Sequence, residues 1–390
     1  MLTESARASL EKQKYRVIGS HSAVKTCGWT NKMIKGEGGC YKLKFYGIMS
    51  NQCMQMTTSI SCANRCTFCW RGYKAPVSHE WKWKVDEPEM ILTESLAAHR
   101  KLLNGMGGHP QKNSTAYEAS KTVRHVALSL TGEPIIYPKM NNLLGLFNQR
   151  SISTFLVTNA QYPLQIRDLN PVTQLYISLD GPNKTSLKKI DLPLFDDYWE
   201  RLNESLLYLS QKNHRTCIRL TMIKGVNMEG HDEYAGMIQK GDPDFIEIKA
   251  YMLLGASKRF YTIDNMPLHE EVVAFTRELM RYLPGYEIVT DHVPSRVVMC
   301  AKRSFKKGGS WRSWIDFSRY HELVCSGGPF DAMDYSKKSP YVGLSGKTTA
   351  DYASLPTKKA KPAGPFIFVN ETDEELDFHK GGESNASLRY

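Results

Sequence analysis

The 390-residue sequence predicts an α/β fold, a partial (β/α)6 TIM-like barrel with N- and C-terminal extensions. Two observations carry this. From about residue 53, short runs with apolar residues at period two alternate with longer runs at helical spacing. Strands alternating with helices of that length imply parallel βαβ connections. The count, about six units, is too small for a closed eight-fold barrel and sufficient for an open one.

The elements follow in order. "QCMQMTTSI" (52–60) reads as the first barrel strand, and "VRHVALSL" (123–130) places Val126, Leu128 and Leu130 on one face. "STFLV" (153–157), "TQLYISLD" (173–180), "RTCIRLTM" (215–222) and "DFIEIKAYM" (244–252) repeat the pattern. Between the first two strands, Asp86 and Pro88 open a helix carrying Ile91, Leu92, Leu96 and Leu103, which Gly105 should stop. Trp199, Leu202, Leu206 and Leu209 line one face of 195–211, and Val272, Phe275, Leu279 and Leu283 do so for 268–283. Residues 1–52 are polar and Gly-rich, with few apolar repeats long enough for a core element, and form an N-terminal extension. The barrel is expected over 53–285 and an ordered extension with a basic, aromatic stretch over 286–335. Residues 336–390 turn Lys/Ser/Gly-rich and then acidic, which suits a flexible tail.

Composition narrows the function. The N-terminus has no apolar core behind a basic head, so no signal peptide is expected. No stretch approaches the ~18–20 apolar residues of a membrane span. A cytoplasmic monomer is expected, and in that reducing compartment the nine cysteines are better suited to metal or catalysis than to disulfides. A formal charge of +11 favours a polyanionic partner such as nucleic acid, a generally basic, solvated surface being the alternative.

"SCANRCTFCWRGYK" (61–74) sets Cys62, Cys66 and Cys69 in a C-x3-C-x2-C array directly after a predicted strand. A closed zinc site would want four ligands, usually as two C-x2-C pairs. Three thiolates suit a cubane iron–sulfur cluster with one iron left open for a small ligand. The array resembles the signature of the radical S-adenosylmethionine (SAM) superfamily, including the aromatic Phe68 before the last cysteine. "LTGEP" (130–134), with Thr131 for the first glycine, resembles the family's Gly-Gly-Glu-Pro motif, and "VTNA" (157–160) and "ISLDG" (177–181) resemble its polar strand ends. The resemblance implies a [4Fe–4S] cluster on Cys62, Cys66 and Cys69, with SAM chelated at the open iron. It further implies SAM contacts from Phe68, Gly132, Glu133, Thr158, Asn159, Ser178 and Asp180, Glu133 accepting from the SAM ammonium.

Cys27, Cys40 and Cys53 are spaced thirteen and thirteen, which no metal chemistry prefers, so a second cluster and free buried thiols both remain open on spacing alone. Their surroundings, "HSAVKTCGWT", "CYKLKFYGI" and "NQCMQMT", resemble the archaeal-type family of radical SAM enzymes that form wyosine bases in tRNA. The likeness covers about residues 20–330 and continues through "RLTMIKGVN" and "IEIKAYM". It implies a second [4Fe–4S] cluster on Cys27, Cys40 and Cys53, facing the same cavity as the first.

The same resemblance implies the substrates: tRNA-Phe bearing N1-methylguanosine beside the anticodon, and pyruvate. A 5′-deoxyadenosyl radical would take hydrogen from the N-methyl group. The carbon radical would add to pyruvate C2, the C1 carboxylate would leave, and a third ring would close. Lys42, two residues past Cys40, is the candidate catalytic residue, either as a Schiff-base amine or as a pyruvate-orienting cation. With few residues ahead of Cys27, electrons are expected from a separate donor such as a flavodoxin or ferredoxin. Single-stranded loops are read by aromatic stacking and cationic contacts. On that ground "WRGYK", "EWKWK" and "KRSFKKGGSWRSW" supply Arg71, Lys74, Lys82, Lys306 and Lys307 as RNA contacts, core aromatics beside solvated lysines being the alternative.

Two other functions compete. A radical SAM RNA methyltransferase would use the same array with a methyl-carrying cysteine, for which Cys300 or Cys325 could serve. A non-catalytic iron–sulfur or tRNA-binding protein would not need "LTGEP" and "VTNA" at strand ends. Cys217, in a strand, reads as a small buried hydrophobe.

Overall fold

The period-two runs form one ten-stranded sheet ordered β1-β2-β3-β4-β5-β6-β7-β8-β10-β9. Its strands are β1 (Arg16–Ile18), β2 (Ser22–Lys25), β3 (Cys53–Thr57), β4 (His125–Leu128), β5 (Ser153–Thr158), β6 (Gln174–Ser178), β7 (Thr216–Met222), β8 (Phe245–Ala250), β9 (Tyr286–His292) and β10 (Val297–Lys302). The structure, a computed structural model, describes residues 2–71 and 75–353 and the short strands Phe368–Val369 and Glu375–Leu376. Lys74 and most of the expected tail fall outside the described residues.

Strands β3 to β8 are the six parallel strands of the partial barrel. Antiparallel strands extend both edges, β1–β2 beside β3 and β10–β9 beside β8. Residues 286–302 therefore pair onto the sheet rather than stand apart from it.

Alternation along the strands separates two cores. Leu156, Leu175, Ile177, Leu220 and Ile248 face outward and pack with Leu202, Leu206 and Leu209 of the helix Tyr198–Ser210 and Val272 and Leu279 of the helix His269–Arg281. Each such side chain taken from water is worth roughly 1.5–3 kcal/mol. Phe155, Tyr176, Cys217 and Phe245 face inward and meet Tyr41, Phe45 and Tyr46.

Two local expectations give way to packing. The helix Pro88–Gly107 runs through Gly105, because Leu103 and Met106 are buried against Ile34 and outweigh a glycine deficit of ~1 kcal/mol. Residues 1–52 also contribute more core than their pattern suggests. The helices Glu4–Lys12, Gly28–Ile34 and Tyr41–Tyr46 and the hairpin β1–β2 bury Val24, Ile34, Phe45 and Tyr46. These elements are too short for a periodic signal and are stabilised by what they pack against. Asp86, expected to cap a helix, instead accepts from Ser20 N at 2.6 Å and ties the hairpin down.

Beyond β10 the chain covers the end of the sheet where the parallel strands begin. Arg215, fully buried, donates through Nη1 to Ser336 Oγ, through Nη2 to the Ser313 carbonyl and through Nε to Gln174 Oε1, with its guanidinium 4.3 Å from the Phe245 ring centre. Each of its three nitrogens has an acceptor, which helps a guanidinium to be buried.

Candidate functional site

The loop after β3 carries Cys62, Cys66 and Cys69 across the ends of the parallel strands, the end where barrel sites gather. Backbone bonds hold it: Arg65 N to Asp191 O (3.0 Å), Thr67 N to Ile190 O (2.8 Å), and Leu194 N to Ala63 O (2.8 Å). Arg71 lies within the loop, buried, donating to the carbonyls of Asn64 (2.7 Å), Pro76 (3.2 Å) and Ile60 (3.4 Å). Its guanidinium points inward and clamps the loop through these three carbonyls. Trp70 likewise stacks on Tyr15, ring centres 6.1 Å apart.

The thiols are close enough to repel as anions. Burial pushes Cys62 up to about 11, Glu133 and Cys69 adding to the effect and Arg71 opposing it. Cys66 is driven well above the ordinary thiol value by burial and then by Asp191, Cys62 and Cys69. Asn64 N and Asn159 Nδ2 each donate to Cys62 Sγ at 3.4 Å. Among the described residues no three His, Cys, Asp or Glu side chains converge tightly enough to hold a single metal ion. A cubane puts each thiolate on a different iron, so its ligands stand further apart. A mutually repelling trio, with Cys62 buried and Cys66 and Cys69 half-buried, fits that group, whose positive irons would relieve the repulsion.

Strand ends frame the rest of this site. Gly132 has φ +68°, and a Cβ there would stand 2.0 Å from the Ser59 carbonyl oxygen, so glycine lets this turn lie against the cysteine loop. Glu133 follows, with Oε2 accepting from Asn159 N at 2.9 Å and Oε1 buried without a partner. Burial lifts its carboxyl to about 7. Thr158 Oγ1 accepts from Ala160 N (3.1 Å) and Ser178 closes β6. Asp180, raised to about 6 by burial, has an unpartnered Oδ1. Orphaned carboxylate oxygens beside the thiols fit a ligand that brings an ammonium and hydroxyls. Phe68 packs with Ile190, Ile223 and Tyr251.

The upstream cysteines meet because three element starts converge. Cys27 precedes the helix Gly28–Ile34, Cys40 precedes the helix Tyr41–Tyr46, and Cys53 opens β3. Burial and then Cys40 raise the Cys27 thiol, and burial and then Cys40 push Cys53 up to about 12, with Lys42 opposing in both. Lys42 therefore lies within electrostatic reach of the trio. Its Nζ is 4.5 Å from the Tyr176 ring centre and 5.6 Å from that of Phe155. This second, half-buried set of mutually repelling thiols fits a cluster for the same reason as the first. Cys53 begins β3 and Cys62 follows its end, so the two trios approach the interior from different ends of one strand.

Sequence reading missed the charges between them. Glu247 is buried and accepts from Tyr46 Oη at 2.8 Å and Tyr41 Oη at 3.1 Å. Arg219 sits beside Tyr41 and Glu247. Burial, followed by Arg219, lowers Lys249 to about 8. The signal was present: Arg219, Glu247 and Lys249 are charges at inward-facing positions of otherwise apolar strands. Asp191, which accepts from Asn64 Nδ2 at 3.3 Å, had no such signal.

The remaining candidates lie elsewhere. Lys306 and Lys307 form a hairpin with Ser310–Trp311. It follows β10, whose last residues lie beside Asp244 at the start of β8, opposite the cysteine loop. Lys306 pairs with Glu287 at 2.9 Å. Lys82 is exposed, whereas its neighbour Trp81 packs on His21 and Tyr137. Cys300 lies in the outer core, and Cys325 is exposed on the helix Phe317–Ser326 near the start of β6.

Six parallel strands with a three-cysteine loop after the first define a radical SAM protein, and residues 56–238 match the radical SAM superfamily. Residues 240–302 match the family described as wyosine base formation. The chain is 47% identical over 92% of its length to the S-adenosyl-L-methionine-dependent tRNA 4-demethylwyosine synthase TYW1 of Homo sapiens. It is 48% identical over 87% of its length to the corresponding synthase of Oryza sativa subsp. japonica. It spans about half of each of those curated relatives (50% and 52%). A solved structure of TYW1 with a lysine–pyruvate adduct bound superposes with a TM-score of 0.71 at 33% identity, covering 78% of this chain and 97% of that one. Archaeal TYW1 gives 0.65 at 31%, covering 79% and 99%. The chain belongs to the TYW1 family of tRNA 4-demethylwyosine synthases.

Proposed function

We propose that this chain condenses N1-methylguanosine beside the anticodon of tRNA-Phe with pyruvate to form 4-demethylwyosine. The observation that carries the reading is Lys42, half-buried within electrostatic reach of the upstream cysteines and over the inward-facing Tyr176 ring. The related structure of TYW1 with a lysine–pyruvate adduct bound supports an amine in that role.

SAM at a [4Fe–4S] cluster, when bound, supplies the radical that takes an unactivated N-methyl hydrogen. The chain's residues bind and orient. Cys62, Cys66 and Cys69 would hold the first cluster, and Glu133 Oε1 would accept from the SAM ammonium. Gly132 admits the turn that brings Glu133 there, and Thr158, Asn159, Ser178 and Asp180 would meet the sugar and carboxylate, with Phe68 packing beside them. Cys27, Cys40 and Cys53 would hold the second cluster. The Lys42 amine would attack the pyruvate keto carbon, and the keto oxygen would leave as water, giving an imine that fixes C2 near the entering base. C1 would leave as CO2 or formate, and the exocyclic amine of the guanine would displace the Lys42 amine from C2, freeing the lysine and closing the ring that keeps C2 and C3. A one-electron donor of the flavodoxin or ferredoxin class would reduce the clusters.

Cys300 and Cys325 stand away from the cysteine loop, which disfavours methyl transfer through either. The test is anaerobic reconstitution with iron and sulfide quantitation and product analysis on N1-methylguanosine tRNA. About eight irons per chain and a pyruvate-dependent tricyclic base are expected. About four irons, or 5′-deoxyadenosine without the base, would overturn it.

A further inference from the structure

The segment after β8 carries an apolar surface that no catalytic requirement explains. Leu254, Phe260 and Ile263 are 55, 48 and 64% exposed. Their backbone is nonetheless rigidly seated. Gly255 has φ +57°, and a Cβ there would stand 2.0 Å from the Trp70 carbonyl oxygen, so this turn lies directly on the cysteine loop. Tyr261 Oη bonds Thr67 Oγ1 at 2.6 Å, and the buried Ser257 bonds Tyr251 Oη at 2.6 Å. Phe260 lines a cavity together with Arg65, Cys66 and Cys69. Lys258 and Arg259, both exposed, precede it.

Exposed apolar side chains on a well-anchored loop mark a surface that a partner covers. An aromatic face flanked by cations, at the rim of a cavity floored by cysteines, matches the chemistry of a single-stranded nucleic-acid loop. Bases stack on such faces and phosphates are neutralised beside them. We infer that residues 252–263 are the docking surface for the RNA loop that enters this site. Phe260 stacks a splayed base, and Lys258 holds a flanking phosphate. This rests on the tRNA-modifying reading and names the surface that serves it.

The experiment uses the reconstituted full chain and a fluorescein-labelled anticodon-arm hairpin of tRNA-Phe, read by anisotropy at several salt concentrations. F260A should weaken binding about tenfold, and F260W should stay within about threefold of wild type because it keeps a stacking face. K258E should weaken binding and reduce the salt slope by about one. Iron content and circular dichroism identify any variant that has merely misfolded. If F260A and K258E both bind within about twofold of wild type, this surface is not the RNA site, and the proposed function is untouched. If wild type binds the hairpin no better than an unrelated one, the function falls with it. If F260A instead slows reduction by a flavodoxin while RNA binding holds, the patch is a protein-docking surface and the inference is overturned.

Discussion

The Lys42 ammonium rests over the Tyr176 ring, 4.5 Å from its centre, with the Tyr176 hydroxyl buried and unpartnered. A half-buried cation over a buried aromatic face is held by roughly 0.5–2 kcal/mol. The ring therefore aims the amine at the barrel interior, between the upstream cysteines and the strand ends that frame the SAM site.

Lys42→Ala and Lys42→Arg should each lower formation of the tricyclic base by at least ~100-fold, because neither side chain can form an imine with a keto acid. Borohydride reduction in the presence of pyruvate should add mass to wild type and to neither variant. A pyruvate-dependent mass gain in Lys42→Arg would place the covalent role elsewhere. Tyr176→Phe keeps the aromatic face and should leave the pyruvate KM within about threefold. Tyr176→Leu removes the face and should raise that KM by roughly 2–30-fold.

Gly132→Ala forces a Cβ into the Ser59 carbonyl at a position with φ +68°. Backbone on both sides must move, so a loss of at least ~2 kcal/mol in unfolding free energy is expected. SAM affinity should fall as well, because Glu133 follows directly and its backbone N–H is fixed at 2.7 Å on Ser61 O. Chemical denaturation and equilibrium SAM binding measure the two effects. Unchanged stability would mean that the turn has room the structure does not show.

The six barrel strands were legible because buried parallel strands and amphipathic helices leave different periods, and the cysteine loop because its ligands are local. The upstream trio was not legible from spacing. Cys27, Cys40 and Cys53 come together only after two short helices pack into the barrel opening, and a thirteen-residue interval encodes nothing of that packing. Charge direction was equally hidden. Arg71 and Lys306 read as RNA contacts, yet one turns inward onto three carbonyls and the other pairs with Glu287 at the far end of the barrel. Residue type says that a cation is present; only the tertiary fold says what it faces.

Arg71 supplies the sharpest test of that distinction. Arg71→Lys keeps the charge and cannot reach three carbonyls, which leaves buried acceptors at a cost of about 1–3 kcal/mol each. The cysteine loop should loosen, and the reconstituted variant should carry about four irons fewer than wild type. The salt slope of RNA binding should stay at the wild-type value, since no phosphate contact is lost. A full iron complement with a reduced slope would return Arg71 to the RNA surface.

Asp291 governs how acid acts on the opposite edge of the fold. Burial works against its charge, but His269 Nε2 at 3.0 Å, Lys44 Nζ at 3.3 Å and the Ser345 N–H outweigh it and hold the carboxyl at about 2. The folded-state value lies below the ordinary carboxylate value of 3.8, so the stabilisation is fully present above about pH 4 and is lost as pH falls toward 2. Allowing for solvent screening at Lys44, its size is on the order of 1–2 kcal/mol. Asp291→Asn should therefore destabilise the protein by about that amount at pH 7, and the gap to wild type should narrow below pH 4, as urea denaturation at several pH values will show. The lesion should also free the segment that Ser345 anchors, because Thr349, which accepts from His269 N at 2.8 Å, docks a few residues further on. Faster amide exchange over residues 343–350 in the variant is expected; exchange unchanged from wild type would mean that other contacts hold the segment.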